Sequence, residues 1–148
     1  MKDDKILMIR SERFKELKFP GGGIIPGETD ELALKREVLE ETGYAIDQMA
    51  PSPRFSTIEY RKRLEKPNEC VEMISRYYQA EAHQVSLTLD LDPYEKSFDY
   101  HPVWIKINQA ILENEKQLKA MNEDELNVIP WIKRELSILR RIQASTDH

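Results

Sequence analysis

The feature that most constrains the fold is the stretch from Gly21 to Tyr44, which reads GGGIIPGETDELALKREVLEETGY. It places a glycine-rich loop directly before a segment with helical periodicity. Thr29 is a suitable N-cap, acidic residues follow in the first turn where the helix dipole favours negative charge, and Gly43 stands where a left-handed C-cap belongs. The sequence therefore predicts a helix over residues 30–42.

The predicted helix carries its acidic residues on one side. At about 100° per residue, Glu37, Glu40 and Glu41 fall within an arc of about 100°. Like charges at this spacing repel one another, so a bound cation would be favourable, and carboxylate oxygens suit a hard ion such as Mg2+. The alternative is an ordinary amphipathic helix with a solvated acidic face. The opposite, apolar side consists of Leu32, Leu34, Val38 and Leu39.

The loop before the helix favours a ligand site. Four of the chain's five glycines lie between Gly21 and Gly27, and Pro20 and Pro26 stiffen the same stretch. Such a chain must turn tightly and leave its backbone open to a ligand.

Loop and helix together resemble the Nudix box, G-x5-E-x7-R-E-U-x-E-E-x-G-U, in which U is a bulky aliphatic residue. Val38 fills the first U, whereas Tyr44 departs from the aliphatic residue that is usual at the end. At about one in fifteen per fixed letter, a chance match at a given start is on the order of one in 10^8. All seven fixed letters are matched, by Gly22, Glu28, Arg36, Glu37, Glu40, Glu41 and Gly43.

The resemblance implies a single α+β domain over residues 1–148, built as the Nudix α/β/α sandwich with a mixed β-sheet. It also implies a hydrolase that uses water and Mg2+ or Mn2+ to cut the pyrophosphate linkage of a nucleoside diphosphate derivative. A dinucleoside polyphosphate, ADP-ribose or a nucleotide sugar would be such a substrate. A nucleoside triphosphate pyrophosphatase and a noncatalytic nucleotide sensor are the alternatives.

The resemblance assigns roles to the matched residues. Glu37, Glu40 and Glu41 are the implied metal ligands, joined by the backbone carbonyl of Gly21, and Glu37 is the best candidate for handling the attacking water. Glu41 and Arg36 are counted with Glu37 as catalytic. Arg36 would tie loop to helix by pairing with a carboxylate of the box. Glu28, Gly22 and Gly43 would be structural.

The resemblance implies a further acidic ligand from a loop before a late strand that carries a tryptophan. Trp104 marks that strand, over residues 102–107, and Glu95 or Asp99 could supply the carboxylate. We prefer Glu95 as the additional metal ligand.

Three residues outside the Nudix box are candidates for substrate binding. Arg54 and Arg76 offer two donors that match phosphate geometry, although a surface ion pair is the commoner role of an arginine. Tyr60 lies at nearly the offset at which relatives that act on dinucleoside polyphosphates carry a tyrosine. Its ring could stack on a base or pack in the core.

The remaining chain predicts further strands and helices. We expect a strand over residues 5–10, a hairpin of strands 54–64 and 71–82 with its turn at 66–68, and another strand over 85–91. Residues 45–53 are predicted to be irregular because Pro51 and Pro53 exclude a central strand. Helices are predicted over 108–121 and from Pro130 onward. The hairpin's core candidates are Phe55, Ile58, Tyr60, Ile74, Tyr77 and Tyr78.

Composition narrows the function classes. The chain has 148 residues and a net charge of -5, which argues against general binding to nucleic acid. Cys70 is the only cysteine, so an intrachain disulfide and a thiolate zinc site are excluded. Because no run is apolar enough for a membrane span, we expect a cytoplasmic protein without a membrane partner.

The N-terminus predicts an unusual sheet edge. Relatives have a strand before the one at residues 5–10, and here Lys2 to Lys5 resembles the connecting turn with almost nothing before it. An unpaired edge invites another chain. We therefore expect a missing first strand and a possible homodimer.

Overall fold

The computed structural model describes residues 4–62, 68–85 and 88–146. In chain order its strands are β1 (Lys5–Ser11), β2 (Leu17–Lys18), β3 (Tyr44–Met49), β4 (Phe55–Lys62), β5 (Cys70–Tyr77), β6 (Ala80–Gln84) and β7 (Tyr100–Lys106). Its helices are α1 (Asp30–Thr42), α2 (Pro93–Ser97), α3 (Ile107–Ala120), α4 (Glu123–Val128) and α5 (Ile132–Thr146).

The main sheet has the order β2-β1-β7. β1 pairs with β7 along its whole length and with β2 only at Ile9 and Arg10. On β7, Trp104 meets Tyr44 beyond the end of α1, whereas the next residue, Ile105, packs among residues of α3 and α5. Since successive side chains on a strand point to opposite faces, the sheet lies between α1 and the α3–α5 pair.

The core of this sandwich is built by alternation along β1. Ile6 and Met8 pack with Leu17 and with apolar residues of α3 and α5, while Ile9 joins a second cluster around Phe98. Both faces of a strand this short can be buried only if other elements cover both sides of its sheet. This burial on both faces of the sheet agrees with the predicted α+β fold.

A long antiparallel ribbon forms the rest of the β structure. β3 pairs with β6, and β4 pairs with β5. Since β4 follows β3 and β6 follows β5 in the chain, the two pairs form consecutive parts of one ribbon. The N–H groups of Ala50 and Arg54 donate to the carbonyls of Gln79 and Tyr77 at the junction. All four strand pairings in the described residues are antiparallel, so the parallel pair that a mixed sheet requires is not among them.

Helix α1 begins and ends where its capping residues predict. The Thr29 hydroxyl accepts the N–H of Leu32 at 3.2 Å, and Gly43 adopts a left-handed conformation with φ 75°. In that conformation its N–H donates to the carbonyl of Leu39 at 3.0 Å. A residue with a Cβ would be strained at Gly43, which explains the structural role predicted for this glycine.

Two predictions for the strands are wrong. We predicted an irregular segment over residues 45–53, but residues 44–49 form β3. The strand can form because Pro51 and Pro53 lie at the bend of the ribbon, outside the residues that pair. The strand predicted over 85–91 is not formed by Val85 or by residues 88–91, and residues 86 and 87 lie outside the described residues. Val85 instead donates its N–H to the carbonyl of Gly43.

Several predicted boundaries need smaller corrections. The predicted strand over 71–82 is divided between β5 and β6, and α2 and α4 are two short helices that we did not predict. The hairpin of β4 and β5 is confirmed, whereas Lys66 and Pro67 of its predicted turn lie outside the described residues. Of the turn predicted at the N-terminus, Lys2 and Asp3 also lie outside, and Asp4 has the positive φ of a turn residue.

Half of the hairpin's predicted core is exposed. Ile58, Tyr60 and Ile74 are 58%, 67% and 47% exposed, and they share one face of the β4–β5 pair. A two-stranded ribbon buries only the face that meets another element, and here that face carries Phe55 and Tyr77. Periodicity identifies the two faces of a strand but does not tell whether both are covered.

No helix in the described ranges is long and apolar enough to cross a membrane.

Candidate functional site

Arg36 lies at the centre of the contacts between the glycine-rich loop and α1. Its Nε and Nη2 donate to the two carboxylate oxygens of Glu28, each at 2.9 Å, and Nη2 also donates to the carbonyl of Gly23 at 3.2 Å. This planar, two-donor pairing fits a guanidinium and cannot be reproduced by an ammonium. It joins the loop to the helix, the arrangement that was predicted for Arg36 and Glu28.

The same guanidinium reaches the acidic face of α1. Nη1 of Arg36 lies 2.8 Å from Glu37 Oε1 and 3.4 Å from Glu40 Oε2. The pairing with Glu28 and Glu37 raises the pKa of Arg36, and the bond from Arg36 lowers the pKa of Glu28. Arg36 therefore partly neutralises a face on which the glutamates would otherwise repel one another.

Gly22 makes a close approach to Glu37. A Cβ built on Gly22 would lie 2.6 Å from the carboxyl carbon of Glu37 and 2.7 and 2.8 Å from its two oxygens. These distances are shorter than van der Waals contact, so a side chain at this position would require the Glu37 carboxylate to move. The structural role predicted for Gly22 thus has a steric basis.

We expect Gly22→Ala to lower turnover more than it lowers stability. The new methyl must displace the Glu37 carboxylate or the loop, and a misplacement of about 1 Å at a reacting group can cost about 10^2-fold in rate. Steady-state kinetics and thermal unfolding check this result. Gly23→Ala is the matched control, because a Cβ at Gly23 would meet no atom within 4 Å. Equal activity in the two variants would contradict the steric account.

Glu41 is fully buried at the junction of α1, the loop and β2. Its Oε1 accepts the N–H of Gly21 at 2.8 Å, and Lys18 Nζ lies 3.5 Å from its Oε2. Burial raises the pKa of Glu41 to about 8, against the opposing charge of Lys18. In the described part of the chain Glu41 Oε2 has no hydrogen-bond donor. A buried oxygen of this kind is costly unless a ligand satisfies it.

Two further acids approach this group from the segment before β7. Desolvation and then the charges of Glu37, Asp90 and Glu95 raise the pKa of Glu40. The proximity of Glu95 likewise contributes to the raised pKa of Glu41. Of the two candidates predicted for this segment, Glu95 therefore lies beside the box glutamates.

Helix α2 positions Glu95. Asp92 caps this helix and accepts the N–H of Glu95 at 2.7 Å, while Glu95 Oε1 accepts the N–H of Asp92 at 3.1 Å. This reciprocal pair is a capping box, which fixes the first turn. Asp99 follows the helix in a left-handed turn, where its carbonyl accepts the N–H of Glu12.

The glutamates are gathered but do not surround one point. Among the described residues no group of three or more acidic, histidine or cysteine side chains is placed so that it could hold a metal ion. Arg36 engages Glu37 and Glu40 in this arrangement. The donor set still fits a hard cation, because it consists of carboxylate oxygens and includes the orphaned Oε2 of Glu41.

A large cavity lies on the other side of the glycine-rich loop. Its volume is about 870 Å3, and its walls come mainly from the loop at 21–23, the apolar side of α1, the ribbon and one side of α5. Both tryptophans, Trp104 and Trp131, line it. The box glutamates lie outside this lining, so the loop separates the cavity from the acidic face.

The predicted substrate-binding residues divide between this cavity and the surface. Arg54 and Arg76 line the cavity. Arg54 donates to Ser145 near the end of α5, and Arg76 pairs with Asp30 at 3.3 Å. Tyr60 stands on the exposed face of β4 and is not among the lining residues. The structure therefore groups the two arginines and leaves Tyr60 apart.

Sequence reasoning missed three residues of this region. Lys18 and Asp90 approach the glutamates from distant segments, and neither belongs to a motif that would have identified it. Tyr44, the departure from the Nudix box, accepts the indole N–H of Trp104 at 2.9 Å. Its hydroxyl thereby fixes a tryptophan of the cavity wall, which an aliphatic residue could not do.

Comparisons with known proteins identify the fold. A NUDIX hydrolase from Nitrosomonas europaea is 22% identical, with a TM-score of 0.52 over 82% of this chain and 74% of the other. A mutator MutT protein from Bacillus halodurans is 21% identical, with a TM-score of 0.51 over 74% of this chain and 65% of the other. No curated protein matches the sequence.

The model of the NUDIX domain matches residues 1–132, which is most of the chain. This match and the similar structures confirm the predicted Nudix fold and the prediction of a Nudix enzyme at the level of the family. The chain therefore belongs to the NUDIX domain family.

Proposed function

We propose that this Nudix hydrolase cleaves the pyrophosphate linkage of a nucleoside diphosphate derivative with a divalent metal ion. The observation that carries the proposal is the fully buried Glu41, whose Oε2 lacks a hydrogen-bond donor in the described residues and whose pKa is raised in part by the neighbouring Glu95. A buried carboxylate oxygen without a donor is costly unless a ligand satisfies it, and a metal ion is such a ligand.

The metal would be held by the carboxylates of Glu37, Glu40, Glu41 and Glu95, with the Gly21 carbonyl as a further oxygen ligand. When bound, Mg2+ or Mn2+ supplies charge neutralisation for the diphosphate and lowers the pKa of a bound water.

The chain's own residues prepare the attack of water. Arg36 Nη1 donates a hydrogen bond to Glu37 Oε1. The other oxygen, Glu37 Oε2, is therefore the one that accepts the proton of the water. Arg36 also fixes the loop through Glu28 and Gly23, so the carboxylate and the loop backbone keep one relative position. Such preorganisation reduces the reorganisation needed in the transition state.

The cavity is the proposed place for the part of the substrate beyond the diphosphate. It borders the same glycines that border the acidic face, and Arg54 and Arg76 are available at its wall. A volume of about 870 Å3 falls in the usual range of small-molecule sites, about 300–1,000 Å3.

A substrate panel with and without Mg2+ tests the proposal. ADP-ribose, a nucleotide sugar, diadenosine tetraphosphate and deoxynucleoside triphosphates are compared by kcat/KM. Hydrolysis of the first three supports the proposed class, whereas a preference for triphosphates indicates the sanitising alternative. Binding without metal-dependent hydrolysis of any compound would indicate a nucleotide sensor and contradict the proposal.

Glu41→Gln is expected to weaken Mn2+ binding by about tenfold or more, because it removes a charged ligand from the proposed site. Calorimetric titration of the metal measures this change. Glu31→Gln serves as the control, since Glu31 lies on α1 but pairs with Lys35 outside the acidic face. Unchanged metal affinity in Glu41→Gln would contradict the assignment.

The same variant is expected to change the pH dependence of metal-free stability. Because the folded-state pKa of Glu41 is raised to about 8, the folded protein holds this proton more tightly than the unfolded chain does. Its contribution to stability is present at low pH and is lost as the pH rises from about 4.5 through about 8. Glu41→Gln lacks this carboxyl and should lose that slope in denaturant unfolding.

The homodimer remains a proposal. β1 is covered by β2 only at Ile9 and Arg10, so part of its edge is open within the described residues. We expect light scattering at high micromolar concentration to give the mass of a dimer, and a strict monomer would contradict it.

A further inference from the structure

The β4–β5 arm of the ribbon forms one wall of the cavity, but no strand of the main sheet pairs with it in the described residues. Apart from its backbone continuity with β3 and β6, its position therefore depends on side-chain contacts with the helices. Arg76 and Tyr78 meet Asp30 at the start of α1, and the opposite face of the arm rests on α5. A ribbon attached in this way can be moved by the loss of few contacts.

Glu135 of α5 is the most buried of these attachments. It is 2% exposed, and its Oε2 accepts the hydroxyl proton of Tyr77 on β5 at 2.9 Å. Its Oε1 accepts the N–H of Phe19 at 3.2 Å. The rings of Phe19 and Tyr77 also pack edge to face, with centroids 5.4 Å apart.

One carboxylate thus joins the arm to the entrance of the glycine-rich loop, because Phe19 directly precedes Pro20 and Gly21. The neighbouring Arg134 strengthens the connection. Its Nη2 lies 3.6 Å from Glu135 Oε1, and its Nη1 donates to Glu59 of β4 at 3.1 Å. Phe19, Tyr77, Arg134 and Glu135 all line the cavity.

We propose that the hydrogen bond from Tyr77 to Glu135 is a latch that holds the β4–β5 arm against the loop entrance and so positions the cavity wall for substrate. The expected effect of the latch on substrate affinity rests on the proposed function. Neither residue contacts the acidic face. Tyr77 and Glu135 are therefore positioning residues whose loss raises KM without changing metal binding.

Tyr77→Phe is the first test. The phenylalanine keeps the ring beside Phe19 and removes only the hydroxyl that donates to Glu135. For the best substrate of the panel, we expect KM to rise about tenfold while kcat changes less than about threefold, the pattern of a lost ground-state contact. The affinity for Mn2+ should equal that of the wild type.

The double variant Tyr77→Phe with Glu135→Gln separates positioning from stability. Tyr77→Phe alone leaves a buried carboxylate oxygen without its donor and should lower Tm. In the double variant the amide oxygen of the introduced glutamine can still accept the N–H of Phe19, and the buried charge is gone. We expect Tm to recover while KM stays raised. Recovery of KM together with Tm would overturn the proposal.

Tyr100→Phe is the matched control. Tyr100 likewise donates its hydroxyl to a buried carboxylate, that of Glu16 at 3.2 Å, but it does not line the cavity. The variant should lower Tm and leave KM unchanged. A rise in KM equal to that of Tyr77→Phe would show that KM follows stability, which would overturn the latch.

Hydrogen exchange gives a readout that does not depend on hydrolysis. The backbone amides of β4 and β5 should exchange about tenfold faster in the double variant, whereas those of β1 and β7 should be unchanged. Unchanged exchange in the arm would overturn the latch. If wild-type protein hydrolyses none of the panel compounds, the proposed function fails, and the exchange measurement still decides whether the pair holds the arm.

Discussion

Glu37→Gln is expected to lower kcat by about 10^2-fold or more and to leave KM nearly unchanged. Glu37 Oε1 is held by Arg36 at 2.8 Å, and the carboxylate is packed against Gly22. A glutamine occupies the same volume and can still accept the Arg36 bond, so the fold should persist. It cannot accept a proton from water, so the loss should fall on the chemical step.

Steady-state kinetics over a range of pH and Mg2+ concentration measure this effect. Glu31→Gln is again the control, because it makes the same change on α1 at an exposed residue whose partner is Lys35. Near-full activity of Glu37→Gln at high pH would contradict the base assignment and transfer it to Glu95 or Asp99. A loss that disappears at saturating Mg2+ would indicate a role in metal binding alone.

Helix α1 could be predicted to the residue because its signals are local. Thr29 accepts an N–H of its own first turn, and Gly43 takes the left-handed conformation that a C-cap requires. Each interaction spans at most four residues, so the sequence contains both partners.

The apolar side of the same helix was predicted less well, since Leu32 and Leu39 are exposed while Glu41 is buried. Burial depends on which elements cover the helix, and helical periodicity does not contain that information.

The ribbon shows a second limit of local reasoning. Pro51 and Pro53 argued against a strand over residues 45–53, yet β3 ends at Met49, before either proline. The prolines instead accompany the bend between β3 and β4. Pairing with β6, about 35 residues away, stabilises β3, and such non-local pairing decides strand formation more than intrinsic preference does.

The Nudix box identified the acids of α1, but two charged residues from other segments, the basic Lys18 and the acidic Asp90, were missed. The Nudix box supplied Glu37, Glu40 and Glu41 because they share one helix face. Lys18 reaches Glu41 from β2, and Asp90 reaches Glu40 from the segment before α2. Contacts between segments so far apart follow from the tertiary fold, so single residues of common type gave no signal.

Arg36→Ala is expected to lower kcat/KM by about 10^2-fold and to lower Tm as well. Its guanidinium joins Glu28, Glu37 and the Gly23 carbonyl, so its removal frees the loop and leaves the glutamates to repel one another. Both kcat and KM should change, unlike in Glu37→Gln. Arg36→Lys should rescue little, because an ammonium cannot form the paired bonds to Glu28.

A double-mutant cycle with Glu28→Gln tests whether the loop connection is responsible. If Arg36 acts on turnover mainly through Glu28, the two single variants should share most of their loss, and the double variant should be scarcely worse than Arg36→Ala. Strict additivity in kcat/KM would contradict this connection. A lower Tm with full activity in Arg36→Ala would reduce Arg36 to a structural residue, since Glu37 on α1 would then still reach the water although the loop is free to move.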